Sequence, residues 1–101
     1  MNDKLGILVS SDQYIDHLIG ITKAAHRAGK KVTIFLTNRG VLLTKDEKFI
    51  ELEGFCHVSL CSLCFELFNL AKPVPVVNDK DFGTQMRNVQ IMKECDRYIV
   101  L

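Results

Sequence analysis

Net charge is almost absent from this sequence: thirteen lysines and arginines against twelve aspartates and glutamates leave +1 over 101 residues. The basic residues are also scattered, so neither a nucleic-acid-binding face nor a surface for anionic membranes is expected. Long apolar runs are missing as well. The opening MNDKLGILVSSDQ carries two charges in its first four residues and only a short apolar run, which suits neither a signal peptide nor a membrane span, and a cytoplasmic protein is expected. No internal repeat, low-complexity stretch or linker divides the chain, and its length suits one domain, residues 1–101, with a single core. Its 48% apolar content is that of an ordinary globular protein and argues against disorder. Four cysteines in a reducing compartment are expected as free thiols, with no disulfides.

What is present is a regular alternation. LGILVS, residues 5–10, is a continuous apolar run of the kind covered on both faces of a parallel sheet. Ser10, Ser11 or Asp12 can cap a helix whose apolar positions Ile15, Leu18, Ile19, Thr22 and Ala25 follow helical spacing, with Gly29 as its stop. KKVTIFL, residues 30–36, predicts the second strand, Thr37 to Gly40 a polar turn, and Asp46 to Leu52 a short helix. A third strand over His57 to Leu60 leads into a helix over Ser62 to Ala71, with Leu63, Leu67 and Leu70 on one side and Pro73 and Pro75 as breakers. VPVVNDKDFG reads mostly as a loop with a short strand, and a helix from about Thr84 to Glu94 and a last strand in RYIVL close the chain. This order predicts an α/β three-layer sandwich, a mostly parallel sheet of about five strands with helices on both faces. Ligand sites in such sheets lie beyond the carboxyl ends of the strands. Three loops meet there: Ser10 to Gln13, Thr37 to Gly40 and Leu60 to Cys64.

The first turn, VSSDQ, lacks the glycines of a dinucleotide or phosphate-loop fingerprint, so no nucleotide cofactor is expected. Cys61 falls at a strand-to-helix corner, where unpaired amides and the helix dipole favour a thiolate; a buried, inert cysteine fits the same place. Cys64 lies one turn on, and spacing alone leaves it facing Cys61 or the core. Cys56 and Cys95 fit core or boundary positions. With a single C-x-x-C and no second knuckle, a zinc site built from Cys56, His57, Cys61, Cys64 and Cys95 is not expected, nor is any other metal. A thioredoxin-like pair fits the order strand, C-x-x-C, helix, yet SLCSLCFE is apolar where that family has an aromatic before its first cysteine and a Gly-Pro type pair between the two. His17, His26 and His57 have no serine or carboxylate at a telling spacing, which removes support for Ser-His-Asp hydrolysis. Asp46, Glu47, Glu51 and Glu53 fit a solvated face.

Several segments together, ILVSSDQ, AGKKVTIFL, TNRGV, the corner VSLCSLCFELF and the end KECDRYIVL, make the chain resemble the DsrE/DsrF-like sulfur-relay family, including TusD-type carriers. The resemblance implies a cytoplasmic α/β protein, without cofactor, that carries sulfane sulfur as a cysteine persulfide and passes it to a partner thiol. It maps the active cysteine onto Cys61, with Cys64 matching a second cysteine of some members. It also implies donor and acceptor proteins as partners, and assembly as a homo-oligomer (trimer or hexamer) or with related subunits. In that role the amides of Ser62 and Leu63 stabilise the thiolate, and Ser10, Ser11 and Asn38 line the pocket. A thiol-disulfide oxidoreductase using Cys61 and Cys64, and a non-catalytic assembly subunit, are the alternatives. Apolar residues expected at the surface over Val41 to Leu43 and Phe65 to Phe68 favour oligomerisation.

Overall fold

A computed structural model describes residues 3–101; Met1 and Asn2, part of the opening read as carrying no leader, lie outside it. Five strands, β1 (Lys4–Val9), β2 (Lys31–Leu36), β3 (His57–Cys61), β4 (Phe82–Gly83) and β5 (Arg97–Val100), form an all-parallel sheet in the order β4-β3-β2-β1-β5. Three α-helices, α1 (Ile15–Arg27), α2 (Ser62–Leu67) and α3 (Gln85–Glu94), lie between them. The expected α/β sandwich is therefore the fold observed.

Connection handedness explains the layering. From β1 to β4 the chain steps one way across the sheet, so right-handed crossovers put α1, the β2–β3 connection and α2 on one face. From β4 it returns past three strands to β5, and α3 must cross the opposite face. The first face holds the main core, in which Ile7, Val9, Leu18, Ile34, Leu36, Phe49, Val58 and Leu60 are wholly enclosed. The second is thin: α3 contributes Ile91 against Phe35 and Cys61, with Leu8, Cys64, Cys95 and Tyr98 at its border.

Two elements depart from expectation. Between β2 and β3 the chain forms two 3-10 segments, Asn38–Lys45 and Phe49–Leu52, in place of one helix over Asp46 to Leu52. Helix α2 ends at Leu67 and not at the prolines, because Asn69 takes a left-handed backbone (φ 57°) and closes a Schellman turn: its N–H donates to the Glu66 carbonyl and Leu70 N–H to that of Phe65. Gly29 (φ 81°) ends α1 the same way, with Lys30 N–H donating to Ala25. The surface patch expected at Val41 to Leu43 and Phe65 to Phe68 is found only in part: Leu67 is exposed. Val41, Leu43 and Phe65 are instead buried in the main core, and Leu63 is exposed beside Leu67.

Candidate functional site

Every β-to-α junction of a parallel sheet opens on the same edge, and here three of them converge: the exit of β2 at Thr37 and Asn38, the corner from Cys61 to Cys64, and the start of α3 at Thr84 and Gln85. Thr37 is fixed by its N–H to the Val9 carbonyl (2.9 Å), and Gly40 N–H turns back to the Thr37 carbonyl (2.8 Å). Only glycine fits there, because a Cβ on residue 40 would stand 2.1 Å from the Val9 carbonyl oxygen. Between these anchors Asn38 adopts φ 49°, a left-handed backbone that asparagine tolerates, and its N–H donates to Cys64 Sγ at 3.3 Å.

A second donor comes from Thr37. Its Oγ1 lies 3.8 Å from Cys64 Sγ and accepts a 2.8 Å hydrogen bond from Gln85 Nε2. With a lone pair taken by Gln85 and a thiolate able only to accept, the hydroxyl donates toward the sulfur. Thr84 caps α3 by accepting from Met86 N–H (3.3 Å), which holds Gln85 in the first turn. Burial pushes the Cys64 thiol up, and the Asn38 amide, the Cys61 thiol and the Thr37 hydroxyl outweigh it, holding the pKa below its ordinary 9.0.

Cys61 has a different environment from the one its position suggests. It is 4% exposed, packed with Phe35 and Ile91, and although it is the N-cap residue of α2 its side chain makes no capping hydrogen bond. The accessible thiol expected at residue 61 is thus covered by α3, and the half-buried Cys64 occupies the reachable place. The hydrogen bonds to the Cys64 sulfur come from the β2 exit; Ser62 and Leu63 make none to either sulfur among the described residues. Leu63 instead turns outward, 64% exposed.

Asn38 meets the cysteine corner, whereas Ser10 and Ser11 serve their own turn. Ser10 N–H and Oγ both donate to the Leu101 carbonyl (3.0 and 3.4 Å), and Ser11 Oγ accepts from Gln13 N–H (3.2 Å). Arg39 frames the rim, paired with Asp12 (3.1 Å) and lying over the Phe68 ring. Gln85 and the hydroxyl of Thr37 were missed from the sequence; the signal for Gln85 was its place after a capping threonine at the next junction on this edge.

All four cysteines are free. Burial pushes the Cys56 thiol up to about 12, with Glu53 adding to it, and its sulfur donates to the Leu52 carbonyl (3.7 Å). Burial also raises Cys95. Neither environment favours the thiolate, the nucleophilic form. Among the described residues no three His, Cys, Asp or Glu side chains converge as a metal set, and no helix is long and apolar enough to cross a membrane. Neither a protein-family model nor a curated protein matches the chain.

Proposed function

We propose that this chain is a sulfur-relay protein of the DsrE/DsrF-like kind whose reactive thiol is Cys64, with Cys61 as its buried neighbour. The observation that carries the proposal is the half-buried Cys64 sulfur held by the Asn38 amide at 3.3 Å and by the Thr37 hydroxyl. Such a thiolate attacks the outer sulfur of a donor persulfide: a new sulfur–sulfur bond forms on Cys64, the donor's sulfur–sulfur bond breaks, and the donor leaves as a thiolate. An acceptor thiolate then attacks the outer sulfur and Cys64 returns as the thiolate. No electrons are gained or lost overall, so the cycle calls for no cofactor.

The proposal includes a cytoplasmic setting, where four thiols remain reduced, and assembly with further copies or related subunits over the exposed Leu63 and Leu67. The Cys61 thiol, which helps to hold the Cys64 pKa down, favours a second reading, a thiol-disulfide oxidoreductase.

Mass spectrometry after incubation with a low-molecular-weight persulfide separates the readings. A one-sulfur gain that survives Cys61→Ser and disappears in Cys64→Ser is the result expected. A gain located on Cys61, or none, removes Cys64 as carrier, and a reversible Cys61–Cys64 disulfide in place of the gain establishes the oxidoreductase.

A further inference from the structure

The α3 side of the sheet is polar in its lower half. Central strands of a parallel sheet are ordinarily apolar on both faces, yet on this side β1, β2 and β3 start with Lys4, Lys31 and His57, and the last two continue with Thr33 and Ser59. Register places Lys4 beside Lys31 and Thr33 beside His57. Ile91 seals only the upper half, against Phe35 and Cys61. Below it, helix and sheet enclose a cavity of about 220 Å3, which Arg87, Gln90 and Glu94 reach from α3.

The charges there are arranged and not merely solvated. Asp81 is 2% exposed, and its Oδ1 accepts both His57 Nε2 (2.8 Å) and Arg87 Nη1 (3.2 Å), fixing those two side chains at the cavity wall. Arg87 Nη2 donates to the Lys80 carbonyl (3.4 Å), so this guanidinium contributes its field and not a free fork. Lys4 and Lys31 have no ion-pair partner among the described residues. Ser59, 1% exposed, makes a single hydrogen bond to the Ile34 carbonyl, at 3.5 Å the outer limit of such bonds and readily exchanged for a ligand oxygen.

We propose that this cavity binds a small tetrahedral oxyanion of charge −2, a phosphate either free or heading a phosphomonoester. Asp81 balances Arg87 and Glu94 is the one carboxylate in the lining, so the unpaired Lys4 and Lys31 leave the field positive and favourable to an anion. The ammonium groups supply point charges, the hydroxyls of Thr33 and Ser59 and the Gln90 amide supply directed donors, and the space exceeds the roughly 30 Å3 share of one water severalfold. The site lies at the amino ends of the strands, opposite the cysteine edge, and is independent of the thiol chemistry.

Calorimetry and amide NMR with inorganic phosphate test it. Binding saturates, moves the amides of Thr33, Ser59 and Gln90, and is not reproduced by sodium chloride at matched ionic strength. Lys4→Gln and Lys31→Gln, both at strand starts where glutamine is tolerated, each weaken it roughly tenfold, and Lys93→Gln on the exposed side of α3 does not. Glycerol phosphate binding tighter than phosphate identifies the esterified ligand, and equal affinity the free anion. A non-saturating or chloride-like response, or unchanged affinity in both lysine variants that remain folded by circular dichroism, overturns the site.

Discussion

At the scale of single residues, one sulfur differs from the other three in what points at it. Cys64 accepts from a backbone amide that cannot rotate away, because Gly40 locks the loop against Val9, and from a hydroxyl that Gln85 orients. Iodoacetamide labelling followed across pH is therefore expected to modify Cys64 first, with a midpoint below 9.0, while Cys56 stays unlabelled in the folded chain. Thr37→Val deletes the hydroxyl, raises the midpoint and slows neutral-pH labelling severalfold; Gln85→Ala acts in the same direction and more weakly. Equal rates at Cys56 and Cys64, or a Thr37→Val profile that overlays the parent, refute this account. The sequence made the cysteine corner legible, since strand, cysteine and helix follow one another. It could not say which thiol is reachable. That depends on Asn38 entering the left-handed region and on a glutamine 48 positions from Thr37, neither of which any local spacing encodes.

At the scale of elements, legibility followed the strength of the pattern. The continuous apolar run LGILVS marked β1, a strand largely buried on both faces, and Gly29 marked the end of α1 because a left-handed stop costs glycine little. Helix α2 was expected too long. Leu63, Leu67 and Leu70 keep helical spacing, but the Schellman turn at Asn69 stops the helix and leaves Leu63 and Leu67 facing water. The two-residue β4 falls at the end of VPVVNDKDFG, a stretch read mostly as loop with a short strand, whose pattern is too brief to place it. The least protected layer is α3, whose cover over Cys61 rests on Ile91, 4% exposed. Ile91→Ala is expected to cost about 2–4 kcal/mol in urea denaturation. The same variant opens Cys61 to alkylation under native conditions, where the parent protein shows labelling at Cys64 alone. Stability within about 0.5 kcal/mol of the parent, with Cys61 still protected, means another group covers that sulfur.

At the scale of the whole molecule, the near-zero net charge conceals a strong local arrangement. Asp81 joins three separate segments, its own 3-10 turn, His57 at the start of β3 and Arg87 on α3, so it fastens the thin face to the sheet. Burial pushes its carboxyl up, but the hydrogen bonds and charges of His57 and Arg87 prevail and its pKa lies below the ordinary 3.8. Unfolding releases the carboxyl to its ordinary value, so near that pH the unfolded chain binds the proton that the folded chain refuses. The stabilisation is therefore complete above about pH 4 and is lost as pH falls through the lower, folded value. Its size is tempered by water, because the His57 and Arg87 side chains are 50% and 32% exposed. Asp81→Asn is expected to cost about 1–3 kcal/mol at neutral pH and to flatten the fall in stability below about pH 4. Urea denaturation at neutral and acid pH decides it: if parent and variant lose stability in parallel as the solution is acidified, some other carboxylate governs the acid response and Asp81 fastens nothing.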